Sequence, residues 1–138
     1  MTLTTVVGVA DGAGPLGGES DEALSTRLRD LALVDLDALI SSGDSTGLIA
    51  AFADDVHDAL REARARIVVL RGMLAGADPL NVLDTTVRQR ASDAGGTGAA
   101  RVQARLVVQA EAARALARLA DLAGSLAPKL FEADRRRG

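Results

Sequence analysis

Apolar residues recur at alternating spacings of four and three along residues 49–74 of this 138-residue chain. The spacing places them on one face of a helix, and its persistence over several heptads is typical of helices that pair along their length. The acidic residues Asp54, Asp55 and Asp58 fall outside this face. We therefore predict a long helix over about residues 45–77 that uses the face as an interface. The face consists of Ile49, Ala53, Val56, Leu60, Ala63, Ile67, Leu70 and Leu74.

A second periodic face lies in the last third of the chain and is built mainly from small residues. Small side chains let two helix axes approach to about 8 Å, the short end of the usual range. We predict a helix from about residue 99 to residue 122 or beyond, with Pro128 kinking or restarting it. We expect large side chains of the 45–77 helix to pack against the small ones of this face. The predicted interface residues here are Val102, Leu106, Ala110, Ala113, Ala117 and Ala120.

Two shorter helices complete the predicted fold. Ser20 is a favourable N-cap residue, so a first helix is expected from there to about residue 40, before Ser41-Ser42-Gly43. Asp78-Pro79 has the form of an N-cap followed by the first helical residue. The stripe of this third helix is Leu80, Leu83, Val87 and Ala91. It should end before the glycine-rich stretch 94–98, which we interpret as an interhelical linker capped by Thr97.

Residues 1–19 contain five glycines and a proline and cannot form a stable helix. We expect a flexible Gly-rich N-terminal arm over 1–19 and a single helical domain over 20–138. The predicted fold class is all-α, a four-helix-bundle-like domain with two long helices.

Composition removes much of the chemistry that a domain of this size could perform. The chain has no Cys, Trp or Tyr and one His, so thiolate metal sites and cysteine nucleophiles are excluded. No polar residue recurs at the predicted core positions, and we expect neither enzymatic activity nor a cofactor. All but one of the 16 basic residues are Arg, which suggests a GC-rich bacterial source. The chain shows no secretory signal and no membrane span, so a cytoplasmic location is expected.

One pattern resembles a metal site. Asp54 and His57 lie three residues apart on the long helix, a spacing that can chelate one ion in a helical bundle. Such sites need several inward-facing ligands, whereas the neighbouring acids point outward and no second histidine exists. A solvated acidic face is the simpler interpretation, and a metal-binding bundle around Asp54 and His57 stays an alternative.

Charge is distributed unevenly along the chain. Residues 1–84 hold six basic and fourteen acidic residues, whereas residues 85–138 hold ten basic and five acidic ones. A nucleic-acid-associated accessory protein is therefore an alternative, with phosphate contacts from the basic half. Packing of the basic half beside the acidic half is the simpler explanation, and no Tyr or Trp is present for base stacking. The candidate phosphate-binding residues are Arg101, Arg105, Arg114 and Arg118.

The patterns together favour a non-enzymatic structural or adaptor protein. We expect it to form a homo-oligomer, to bind a partner protein, or both, through the heptad and alanine-rich helix faces. The sequence does not distinguish a hairpin of the two long helices within one chain from pairing between chains, because both bury the same faces.

Overall fold

The computed structural model describes residues 20–41 and 45–137, so the predicted N-terminal arm lies outside the described residues. Within them the chain forms five helices and no strand, which confirms the all-α class with two long helices. The helices are α1 (Asp21–Ala32), α2 (Leu36–Ile40), α3 (Ser45–Ala75), α4 (Val82–Asp93) and α5 (Gly98–Arg137). No helix among the described residues is both long enough and apolar enough to cross a membrane.

Several helix ends form where local sequence signals predict them. The Ser20 hydroxyl accepts a hydrogen bond from the Ala23 backbone N–H, and the Thr97 hydroxyl accepts one from the Ala100 N–H. Gly76, with a φ of +79°, lets the chain leave α3 in the left-handed conformation that glycine adopts without strain. The Ser20 and Thr97 caps confirm the predicted helix starts, because each depends on residues within one turn, whereas the end at Gly76 falls slightly before the predicted end at about residue 77.

The first predicted helix is wrong in one respect, because the structure divides it into α1 and α2. The break exposes the backbone carbonyls of Ala32 and Val34, and the Lys129 ammonium group donates a hydrogen bond to each. Asp35 then caps α2 by accepting hydrogen bonds from the Asp37 and Ala38 backbone N–H groups. A lysine almost one hundred residues away therefore binds carbonyl groups that a continuous helix would use internally.

The predicted start of the third helix is also corrected. The helix begins at Val82 rather than beside Pro79, and Leu80 is 69% exposed instead of contributing to the core. The Asp78 carboxylate nevertheless caps it by accepting hydrogen bonds from the Val82 and Leu83 backbone N–H groups. The N-cap position is occupied by Asn81 rather than Asp78, so the predicted cap is wrong in position, and the Asp78 carboxylate binds the first turn from four residues before Val82.

Helices α1, α3 and α4 pack against α5, and the short helix α2 packs against α3. The start of α3 lies near the end of α5, where His57 contacts Asp134, so the two long helices are antiparallel. Helix α1 runs parallel to α5, since Glu22 pairs with Arg118 near its beginning and Lys129 binds Ala32 at its end. Helix α4 contacts the first third of α5.

Helix α3 supplies the largest share of the core through its predicted face. Six of the eight predicted residues are buried, Ile67 is half-buried, and Leu74 at the end is 37% exposed. Phe52, Ala59 and Met73 extend the same face into the core. The heptad pattern therefore identified both the helix and its buried side, and that side packs within the chain.

Helix α5 turns a different side to the core from the one predicted. Its buried residues are Ala104, Val108, Ala112, Leu119, Leu126 and Ala133. The predicted face of Val102, Leu106, Ala110, Ala113, Ala117 and Ala120 is exposed at every position. The expected packing of these small residues against the 45–77 helix is therefore wrong. The helix is also continuous through Pro128. We predicted either a kink or a restart there, and the restart does not occur.

Candidate interaction surface

The exposed side of α5 bears a continuous uncharged stripe, which we call the outer face. It extends the predicted face toward the end of the helix with spacings of four and three residues. Its members are Val102, Leu106, Ala110, Ala113, Ala117, Ala120, Gly124, Ala127 and Phe131, and all are exposed. The sequence identified six of these nine residues correctly as a stripe but placed them against the wrong neighbour.

The outer face contains large apolar side chains as well as alanine. Val102 is 63% exposed, Leu106 59% and Phe131 72%. Isolated exposed apolar residues are ordinary on protein surfaces, whereas an aligned apolar patch commonly marks an interaction site. From residue 106 to residue 131 the stripe is about 38 Å long at the α-helical rise of 1.5 Å per residue. Its length and alignment make it the principal candidate functional surface of the described residues.

The two edges of the outer face differ. One edge is formed by Gln109, Leu116, Ala123 and Leu130, which are half-buried, and the last three pack against the core. The opposite edge contains Arg114 and Asp121, which are exposed and lie seven residues apart, on the same side of the helix. Neither of these two side chains forms an ion pair with another residue in the described ranges. A charged edge and an apolar edge thus border the same stripe.

The four arginines of the nucleic-acid alternative do not form one surface. Arg105 pairs with Asp84 of α4 at 2.7 Å, and Arg118 pairs with Glu22 of α1 at 2.9 Å. Because α1 and α4 contact different parts of α5, these arginines are neutralised at separate places. Arg101 and Arg114 stay exposed. The pairing favours the interpretation that basic and acidic halves pack together.

Arg135 and Arg136, near the end of α5, are also engaged with acids. Arg136 contacts Asp37 of α2 at 3.2 Å and also binds Glu132 one turn earlier. Hydrogen bonds from Arg135 and Arg136 hold the pKa of the Glu132 carboxyl below its usual value. This end of α5 is therefore an ion-pair network on a solvated surface, in which acids compete for the arginines.

The residues of the metal alternative lie on the surface. His57 Nε2 is 3.4 Å from Asp134 Oδ2, and both side chains are nearly half exposed. Asp54, Asp55 and Asp58 are exposed as the sequence predicts. Among the residues described, no group of three or more potential ligand side chains could hold a metal ion. The geometry gives the metal-binding alternative no support.

One buried charge was missed by sequence reasoning. Arg66 is only 4% exposed, and its Nε and Nη2 atoms lie 2.8 Å and 2.7 Å from Asp21 Oδ1 of α1. The pair lines a cavity of about 190 Å³, beside which Arg90 binds Glu111 at 2.7 Å. Each of these two guanidinium groups is thus matched by a carboxylate, an arrangement suited to joining α1 to α3 and α4 to α5. The sequence signal that could have indicated this burial is the position of Arg66 three residues after Ala63 and four before Leu70, two members of the predicted apolar face.

Comparisons of the chain with protein-family models, curated proteins and solved structures find no match. The outer face, the ion pairs between helices and the cavity beside Arg66 are among the features from which a function can be inferred. Of these, the ion pairs and the cavity are accounted for by packing within the chain. The outer face is not.

Proposed function

We propose that the protein is a non-enzymatic helical structural or adaptor protein that self-associates through the outer face of α5. The observation that supports this proposal is the alignment of nine exposed, uncharged residues along one side of a 40-residue helix. The rest of the protein acts as a scaffold that keeps this helix straight enough to pair along its length. We place this role in the cytoplasm.

Burial of the outer face would remove apolar surface from water. Transfer of apolar surface from water stabilises an association by roughly 25 cal/mol per Å² before the entropic costs of binding are subtracted. Val102, Leu106 and Phe131 are the large apolar side chains of this surface, while the alanines and Gly124 let a second helix approach closely. A helix from another copy fits this surface better than a globular partner, because the stripe is narrow and runs along one side of a single helix.

The same surface does not favour nucleic acid. A phosphate-binding face needs unpaired cations along one side, whereas the outer face is uncharged and the arginines Arg105 and Arg118 are paired with acids. The exposed arginine next to the stripe, Arg114, is seven residues from Asp121 on the same edge. Charge at that edge therefore alternates in sign.

The first test compares Ala117→Glu with Ser125→Glu by size-exclusion chromatography with light scattering. Ala117 lies in the middle of the outer face, whereas Ser125 is exposed on the same helix outside it. Concentration is measured by refractive index, because the chain has no Trp or Tyr. We expect the unmodified chain and Ser125→Glu to have a mass of about 28 kDa, twice the 14.2 kDa of one chain. Ala117→Glu should be monomeric, because association would bury an unpaired carboxylate.

Circular dichroism of both variants verifies that the helices persist. A monomeric unmodified chain at every concentration would reject self-association. A dimer that both variants retain would place the interface elsewhere on the molecule. Loss of the dimer in Ala117→Glu alone supports the outer face.

A further inference from the structure

The outer face has a symmetric arrangement of large and small residues. Leu106 and Phe131 stand near its two ends, and only alanine and glycine lie between them. The point midway between these two residues falls between residues 118 and 119, which is close to the middle of α5 (Gly98–Arg137). A stripe of this kind matches itself when one copy is reversed end to end.

Reversal about that midpoint pairs eight of the nine outer-face residues, and Val102, the ninth, lies beyond the paired segment. Leu106 of one copy lies opposite Phe131 of the other, and Ala117 lies opposite Ala120. The remaining pairs are Ala110 with Ala127 and Ala113 with Gly124. Each large side chain meets another large one at the ends, while the small central residues allow the backbones to approach closely. Parallel in-register pairing would oppose Leu106 to Leu106 and Phe131 to Phe131, with alanine against alanine through the centre, so the size pattern fits both orientations.

The charged edge distinguishes the two orientations. In an antiparallel helix pair, an edge of one helix meets the same edge of its partner, whereas in a parallel pair it meets the opposite edge. Antiparallel pairing therefore brings Arg114 of each copy to Asp121 of the other, which forms two ion pairs related by symmetry. Parallel pairing would place Arg114 beside Gln109, Leu116 or Ala123, none of which is charged. Arg114 and Asp121 are exposed and form no ion pair with described residues of their own chain.

We propose that the occupant of the outer face is a second copy of this chain, whose α5 lies antiparallel, with Ala117 against Ala120 at the centre and Arg114 against Asp121 at the edge. This inference rests on the proposed function and adds the orientation, the register and the residues that specify them. The apolar contacts supply the affinity. The two ion pairs select the register, because like charges would meet in other alignments of the same edge.

Disulfide formation tests the orientation directly. The chain contains no cysteine, so Leu106→Cys and Phe131→Cys each introduce a single thiol. A disulfide needs Cα atoms about 4.4–6.8 Å apart. We expect a mixture of the two variants to form a cross-linked dimer of one chain of each kind after mild oxidation. Neither variant alone should cross-link, because identical residues near the helix ends lie far apart in an antiparallel pair.

Charge reversal tests the register. Arg114→Asp and Asp121→Arg should each raise the dimer dissociation constant about tenfold, because each places like charges opposite each other in the dimer. The double variant should restore the dissociation constant to within about threefold of the original, since both ion pairs are re-formed with reversed polarity. Ser125→Glu is the matched control for a change of charge on the same helix.

The outcomes separate the two proposals. A chain that is monomeric at all concentrations overturns self-association and this inference together. A dimer in which Leu106→Cys or Phe131→Cys cross-links with itself supports self-association but overturns the antiparallel orientation. A mixed cross-link combined with additive, uncompensated effects of the two charge reversals overturns the Arg114–Asp121 pairing.

Discussion

Arg66 is a charged residue that the fold places in the core, although its charge alone predicts a position on the surface. Its side chain lies in the core between α1 and α3, where an unpaired charge would cost several kcal/mol. The Asp21 carboxylate accepts a hydrogen bond from the Arg66 Nε–H and also lies 2.7 Å from Nη2 of the same guanidinium group. The Asp21 side chain is 31% exposed, so it keeps part of its hydration. Removing the Asp21 charge therefore leaves a buried charge on Arg66, whereas removing Arg66 leaves an Asp21 carboxylate that water can reach.

We expect Asp21→Asn to lower the free energy of unfolding by about 2 kcal/mol, because it leaves a buried guanidinium without a counter-charge. Arg66→Met should cost less, since Asp21 can regain water and Met occupies much of the volume of the arginine stem. Glu22→Gln, the neighbouring change, should cost less than about 1 kcal/mol, because its partner Arg118 is exposed. Urea unfolding followed by circular dichroism measures all three. An Arg66→Met variant less stable than Asp21→Asn would contradict the asymmetry.

Among the helices, α5 shows that sequence periodicity predicts a helix more reliably than it predicts which side of that helix faces the core. The helix has two apolar stripes, one with Val108 and Leu119 and one with Leu106 and Ala117. Both satisfy the spacing of a helix face, so the sequence pattern allows either to be buried. The structure buries the first stripe, in which Leu119 and Leu126 are fully buried, and α5 packs against α1, α3 and α4. The alanine-rich stripe is left for contacts outside the chain.

Pro128 gives a prediction at this scale. It lies inside α5, is exposed and lacks the backbone N–H that would bond to the carbonyl of residue 124. Pro128→Ala should raise the free energy of unfolding by about 1–3 kcal/mol, because it restores that hydrogen bond and removes the clash of the ring with the preceding turn.

The measurement is urea unfolding in the Ala117→Glu background, where dimerisation is not expected to contribute. Ser125→Ala serves as the control for a change in helix propensity alone. A loss of stability in Pro128→Ala would indicate that the proline shapes the helix for the contact of Lys129 with Ala32 and Val34.

In the whole molecule, ion pairs between helices join the acidic first half of the sequence to its basic second half. Asp84 binds Arg105, Glu22 binds Arg118 and Asp37 binds Arg136, in each case an acid of the first 84 residues with an arginine of the remainder. These pairs are largely exposed, and each contributes at most about 1 kcal/mol. The acidic and basic halves therefore match within one chain, and the apolar core provides most of the stability.

Salt should consequently have little effect on the assembly. At about 1 M salt the Debye length falls to about 3 Å, so exposed ion pairs are screened while apolar contacts are not weakened. We expect the mass from light scattering to stay that of a dimer, with the dissociation constant rising less than about tenfold. Ala117→Glu, measured in parallel, should be monomeric at both ionic strengths. Dissociation of the unmodified dimer by salt would mean that the charged halves, rather than the outer face, hold the copies together.

Features that depend on near neighbours follow from the sequence alone. Heptad spacing specified α3 and its buried face, and Ser20 and Thr97 specified helix starts, because each signal acts within a turn or two of helix. Features that depend on distant residues are set by packing in the folded chain. Lys129 stabilises the break after Ala32, Asp21 lets Arg66 enter the core, and packing against α1 and α3 selects the inner side of α5. Local periodicity cannot choose between two apolar stripes on one helix, because that choice depends on which neighbouring helices cover it.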